Sequence, residues 1–249
     1  MSNYQYKNFK ILEISGVDTK KFLQGLTTAD LNILSENNAI LLTAFANLKG
    51  RIISLCFVKY IADDKLLLSV EEGVLETLQN WLKKYGMFSK VSFSINDEYA
   101  LFFTTEGFLN HNILARDSFE SDISFEDVQK QNILNKLAII NSQNIENFLP
   151  AELELDNVEN VVSYSKGCYM GQEVIARMHY KAKLKKELAV VKSNSDIDTL
   201  DLKDEQGKPL ANVVNKIFVE NQSYMLVVFH KEALESEYKL ETGETIIKC

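Results

Sequence analysis

The chain opens with a short, largely apolar run, NFKILEI at 8–14, closed by Gly16, and this pattern predicts a strand. Asp18 stands ahead of TKKFLQ with Gly25 behind it, which predicts a short helix over 19–24: Asp accepts from free helix N–H groups and Gly tolerates a left-handed exit. Two β-type runs follow at 39–46 and 52–61, the second turning at Ala62-Asp63-Asp64 into 65–70 as a hairpin. Ser69 and Glu72 stand at capping-box spacing, and Val74, Leu75, Leu78, Trp81, Leu82 and Tyr85 then repeat on one helical face up to Gly86. On that face Trp81 and Tyr85 read as core residues. Val91, Phe93 and Ile95 alternate, and 99–105 reads as another strand. Ser124 and Asp127 start a second helix over about 125–138. The stretch 146–159 holds five acids, no base and Pro150, and reads as a connecting loop. From Glu187 onward short β runs, with a turn at Gly207-Lys208-Pro209, predict a small β-barrel or sandwich that packs on the rest. Strands grouped around few helices mean α+β with antiparallel pairing, not a doubly wound sheet.

Composition narrows the class. At 249 residues with 46% apolar and 25% charged side chains, the chain can bury a core of one to two domains. A net charge of −8 excludes a general nucleic-acid binder. Three scattered cysteines are too few for a disulfide framework, and no leader or membrane-length apolar run is present. The expectation is a soluble cytoplasmic protein without membrane contact.

The chemistry concentrates in Lys166-Gly-Cys168-Tyr169-Met-Gly-Gln172-Glu173, followed by Arg177 and His179. Glycines at −1 and +3 let the backbone bend around Cys168 and let a ligand approach closely. Residues 166–186 carry six bases (Lys166, Arg177, Lys181, Lys183, Lys185, Lys186) and one acid, a local balance of +5 that leaves −13 for the rest of the chain. Such cations favour the thiolate, the form that attacks electrophiles or binds soft metals, and a helix starting near Gly171 adds to that. From composition alone Cys168 reads more readily as a small buried hydrophobe, as Cys56 and Cys249 do more strongly still. Cysteine gaps of 112 and 81 residues give no metal-knuckle spacing and no protein-held iron–sulfur cluster, so no metal site is expected.

The cysteine motif with Arg177 resembles the signature of the YgfZ-type folate-binding proteins, relatives of the glycine-cleavage T-protein (aminomethyltransferase). Phe22-Leu-Gln-Gly-Leu-Thr-Thr-Ala-Asp30 and Asn47-Leu-Lys-Gly-Arg51 resemble that family's first two motif blocks, in the same order. The resemblance implies a three-lobed cloverleaf: two α+β lobes over 1–182, split near 96 and possibly discontinuous, and a C-terminal β-barrel over 183–249, around a channel for tetrahydrofolate. It implies an accessory role in assembly or repair of iron–sulfur proteins, with those proteins or cluster-assembly proteins as partners. Cys168 would be the essential thiol at the channel, Lys166, Tyr169, Gln172, Glu173 and Arg177 would shape the site, and Asp30, Lys49 and Arg51 would line it from the other lobe. The alternatives are an aminomethyltransferase acting with a lipoyl carrier, and a non-catalytic scaffold of the same fold. The chain departs from the T-protein pattern at Ser54, which stands at an acidic position. It departs again at Asn132-Ile-Leu-Asn135, which stands for a Leu-Arg-Leu-Glu helix whose Glu holds the pterin, and no neighbouring acid in the sequence replaces that Glu. Loss of charges that would bind and polarise a folate amine argues against ordinary aminomethyl transfer.

Overall fold

The computed structural model describes residues 3–181, 186–230 and 235–249. In chain order these form β1 (Asn3–Gln5), β2 (Phe9–Ser15), α1 (Thr19–Gln24), β3 (Ile40–Ala46), β4 (Ile52–Ala62), β5 (Lys65–Glu71), α2 (Glu72–Tyr85), β6 (Ser92–Asn96), β7 (Tyr99–Phe108), β8 (His111–Ala115), α3 (Phe125–Leu134) and α4 (Gln172–Lys181). Then come β9 (Glu187–Ser193), β10 (Asp201–Lys203), β11 (Pro209–Val219), β12 (Gln222–Phe229), β13 (Glu237–Lys239) and β14 (Thr245–Lys248). The fold is α+β, dominated by three antiparallel sheets: β3-β4-β5-β2-β6, β1-β7-β8 and β10-β11-β12-β9-β14-β13. The sheets do not follow a linear split near residue 96, because β1 from the N-terminus pairs with β7. The 182/183 boundary lies outside the described residues.

The apolar face of α2 buries Val74, Leu78 and Leu82 against the five-stranded sheet, and Trp81 sets its ring edge to face with Phe45. Its N-cap is Glu71, whose carboxylate accepts from the N–H of Gly73, and not Ser69. Pairing of Phe9 with Glu71 carries β5 two residues past Ser69, whose buried hydroxyl accepts from the Phe57 N–H instead. Asp18 likewise gives α1 no cap bond; its carboxylate accepts from the Lys90 N–H, and Gly25 stays right-handed at φ −79°. Ser124 does cap α3, accepting from the N–H of Asp127. That helix stops at Leu134 rather than near 138, since Lys136 turns left-handed and the N–H groups of Lys136 and Leu137 fold back onto the carbonyls of Ile133 and Asn132, a Schellman ending. Without a glycine at 136 the sequence carries no mark of it.

In the six-stranded sheet β9 and β12 alternate between two faces. Leu188, Val190, Leu226 and Val228 join the main core, while Ala189, Val191, Met225, Val227 and Phe229 form a second one. It curls until its edges meet at one bridge, Asp204 to Leu240, and so is a half-barrel rather than a closed barrel. The acidic stretch 146–159 is not a solvated loop: it forms 3-10 turns at Pro150–Leu153 and Leu155–Asn157 and buries Glu152. Glu152 accepts from Arg51 Nη1 at 3.0 Å, Lys186 Nζ at 2.7 Å and the Leu149 N–H at 2.9 Å, joining the start of β4 to the strand entering the half-barrel.

The three-stranded sheet buries His111, stacked on Phe57 at 4.7 Å between centroids and beside Tyr6. Burial lowers its pKa from 6.5 to about 4, so it is neutral at pH 7. A depressed histidine pKa means the unfolded chain binds the proton first, so stability falls as pH drops below 6.5. The expected loss between pH 7 and pH 5 is about 2 kcal/mol from this residue. Urea unfolding at the two pH values checks it: the loss should be present in the wild type and largely missing from His111→Phe, and an equal loss in both would reject the assignment to His111.

Candidate functional site

The three motif blocks meet at one place. In the first block, Thr28 Oγ1 accepts from the Ala44 N–H and donates to the Val161 carbonyl, and the Thr28 carbonyl accepts from the Ser163 N–H, tying the block to the approach of the cysteine segment. The Lys166 ammonium turns inward and donates to the carbonyls of Gln24 and Ala29, both at 2.7 Å, while lying 4.9 Å above the Tyr169 ring. The Met170 N–H donates to the Gly25 carbonyl. In the second block, the turn Asn47–Gly50 presses on Gly171. A Cβ there would lie 2.5 Å from the Asn47 carbonyl oxygen and 3.1 Å from Gly50 Cα, and φ at Gly171 is +78°. Gly171 then opens α4, its carbonyl accepting from the N–H groups of Val174 and Ile175. Gly167 is also left-handed, φ +97°, but open to space.

Between these anchors Cys168 is exposed, whereas Cys56 is buried. Cys168, Tyr169, Gln172 and Glu173, with Met170, Gly171, Gly25 and Leu48, line a hollow of about 480 Å³. Leu48 at its lip is 72% exposed. Tyr169 buries its ring with Ala46 and Ile175, and its hydroxyl has no partner; burial pushes its pKa up to about 12. Lys166 is pushed down to about 7 by burial, opposed by the charge of Asp30.

The other sequence-expected residues are placed differently. Asp30 caps the turn Leu31–Ile33 and accepts from Gln24 Nε2 at 2.7 Å. Arg51 spends its guanidinium on Glu152 and the Asn147 carbonyl, and Lys49 is exposed. Arg177 is exposed on α4. The expected field of cations around Cys168 is divided: Lys166 is clasped by carbonyls, Lys186 is paired with Glu152, and Lys183 and Lys185 lie outside the described residues.

A second cavity of about 340 Å³ opens where β3, the β7–β8 turn, the end of α3 and the 153–158 segment meet. It shares no lining residue with the cysteine hollow. Leucines 42, 137 and 153 give it apolar walls, and Asn110, Asn132 and Asn135 give it amides. Glu154 also lines it, paired with Lys136 at 3.2 Å, so tertiary structure supplies an acid that the sequence around 132–138 lacks. Eight non-glycine residues among those described have positive φ, and four of them line this cavity: Leu109, Asn110, Lys136 and Glu154. Backbone held in sparsely populated conformations gathers at functional sites.

No protein-family model matches the chain. It is 29% identical over 200 residues to an uncharacterized protein of Haemophilus influenzae, covering 74% of this chain and 71% of that one. It is 25% identical over 233 residues to the tRNA-modifying protein YgfZ of Colwellia psychrerythraea (76% and 71% covered) and 27% identical over 233 residues to that of Buchnera aphidicola (76% and 72%). The structure aligns with the glycine cleavage system aminomethyltransferase T of Bartonella henselae at a TM-score of 0.74 and 12% identity, over 99% of this chain and 84% of that one. At that identity the likeness is one of fold.

The chain is similar in sequence to YgfZ proteins and shares its fold with an aminomethyltransferase.

The second cavity holds Asn132 and Asn135, two positions at which the sequence departs from the T-protein pattern. Ser54, matched to a T-protein acid, is buried and pairs its hydroxyl with Cys56 Sγ at 3.2 Å, away from either cavity's lining. Gly25 and Leu48 stand inside quoted motifs, yet only the fold shows that they wall the hollow. The cavity residues Leu109 and Glu154 carry no sequence signal at all.

Gly171→Ala meets both a carbonyl at 2.5 Å and a left-handed φ, and is expected to cost about 3 kcal/mol. Gly167→Ala has nothing within 4 Å and should cost only about 1 kcal/mol for its φ. Denaturant titration of the two variants compares them, and equal losses would mean that the contact with Asn47 and Gly50 does not constrain this segment.

Proposed function

We propose that the chain is a tetrahydrofolate-binding accessory protein in assembly or repair of iron–sulfur proteins, with Cys168 as its reactive thiol. The observation that carries this reading is that three separate motif blocks (through a half-buried ammonium, two glycines and backbone hydrogen bonds) brace the segment that holds one exposed cysteine beside a hollow. An exposed thiol on a braced loop suits a soft ligand or sulfur species. Following the name of the YgfZ relatives, the clients are iron–sulfur proteins serving tRNA modification; a chain at −8 acts on such proteins rather than gripping the RNA itself.

The reduced folate is assigned to the second cavity. Its volume is in the small-ligand range, and apolar walls with a few convergent amides suit a flat heteroaromatic ring bearing donors and acceptors. The eight residues first expected to shape a folate site do not line that cavity, and Tyr169, Gln172 and Glu173 serve the cysteine hollow instead. With no lining residue in common, thiol and folate address different reactants, which favours a cluster or sulfur species over a folate-borne one-carbon unit as the partner of Cys168. Aminomethyl transfer is disfavoured by the neutral Asn135 and the buried Ser54, and by the tie of the cavity's acid Glu154 to Lys136. The chain is then expected to form no methylenetetrahydrofolate from an aminomethyl-lipoyl carrier.

Cys168→Ser should fold with stability within about 0.5 kcal/mol of the wild type, since the side chain is exposed. It should retain tetrahydrofolate binding and lose the ability to restore iron–sulfur protein activity in cells lacking the protein. Full restoration by the serine variant would reject the thiol, and absence of saturable tetrahydrofolate binding by the wild type would reject the folate.

A further inference from the structure

A directed chain of hydrogen bonds ends at the wall of the second cavity. The turn between β7 and β8 holds Leu109 and Asn110 at φ 51° and 62°, the pair of left-handed residues of a type I′ hairpin. That turn brings the Leu109 carbonyl to 2.7 Å from His111 Nδ1. A carbonyl can only accept, so Nδ1 carries the proton, and in the neutral ring Nε2 is then an acceptor. Burial keeps the ring neutral at pH 7. Tyr6 lies with its hydroxyl 2.7 Å from Nε2 and must donate there, which leaves its oxygen to accept from Asn132 Nδ2 at 2.8 Å. Each link leaves the next one a single choice, so the Asn132 amide cannot flip. Its Oδ1 accepts no hydrogen bond from any described residue, is not among the fully buried unpartnered atoms, and belongs to a side chain that lines the cavity.

We propose that Asn132 is the acceptor that selects and orients the cavity's ligand by taking a hydrogen bond from a ring or exocyclic N–H, and that Tyr6 and His111 are positioning residues that hold its oxygen toward the ligand. The inference rests on the folate reading of this cavity, where the pterin's amide-like N–H edge supplies the donor. It goes further in naming a neutral acceptor fixed by a buried relay, at a position distinct from the matched glutamate. A fixed acceptor discriminates strongly, because a ligand without the donor leaves a desolvated oxygen unpaired. Among the other acceptors on the wall, the Glu154 carboxylate is engaged by Lys136, and no side-chain hydrogen bond among the described residues fixes the amides of Asn110 and Asn135.

Titration of the full-length protein with 5-formyltetrahydrofolate, together with ¹⁵N NMR of the histidine rings, tests this. Asn132→Leu should weaken binding 10- to 100-fold, and Tyr6→Phe, which keeps the ring and frees the amide to flip, should weaken it 3- to 10-fold. The double variant should bind as Asn132→Leu does, since Tyr6 acts only through Asn132; purely structural roles would instead give multiplying losses. The His111 ring of the unmodified protein should show the Nδ1–H tautomer, a readout that needs no variant to fold. Wild-type binding with an unaffected Asn132→Leu variant, multiplying losses or an Nε2–H ring would overturn the proposal alone. Failure of the wild type to bind would overturn the folate reading and this inference with it, whatever tautomer the ring shows.

Discussion

The contact of two backbones at Gly171 is the constraint on which the rest of the candidate site depends. The Asn47–Gly50 turn and the cysteine segment approach until Gly171 has no room for a side chain, and the left-handed φ of Gly50 and Gly171 lets both chains turn away again. With that crossing in place α4 starts at Gln172 and Met170 reaches the Gly25 carbonyl, and between Lys166 and Gly171 the Tyr169 ring turns inward while Cys168 stays exposed. The exposure of Cys168 is therefore a consequence of anchors on both sides of it, and not of local flexibility. Lys166 supplies the other anchor. Its ammonium is partly withdrawn from water, which lowers its pKa to about 7, and two carbonyls of the first block accept hydrogen bonds from it in return.

The fold keeps two chemistries apart. One concavity offers a thiol with few directional polar partners; the other offers amides, an ion pair and strained backbone, and no sulfur. The sheets set the cavities, while the side chains that line them are free to differ in charge. Here the second cavity offers amides, and its carboxylate, Glu154, is paired with Lys136. An amide binds a donor without attracting its proton, so the wall can orient a ligand and leave its basicity alone.

Much of the architecture was legible because it follows from periodicity. The hairpin at 62–65, the buried face of α2, the Ser124 cap and the β-rich C-terminal unit all announce themselves through alternation, helical repeats or a capping pair. The misreadings share one cause, competition from partners distant in sequence. Ser69 is a plausible cap but its hydroxyl goes to the Phe57 N–H, the Asp18 carboxylate goes to the Lys90 N–H, and 146–159 reads as a connecting loop although Arg51 and Lys186 hold its Glu152 in the interior.

By itself the sequence determined the element types, the family likeness and the identity of the one cysteine set between glycines, since these depend on residues close together along the chain. Only the tertiary structure decided that Cys168 and the amide cavity are separate, that Arg51 is bound to the buried Glu152, and that Tyr6, His111 and Asn132 form one directed relay. Those facts depend on which groups from opposite halves of the chain come within hydrogen-bonding distance, and burial, not spacing, chooses among the possible partners.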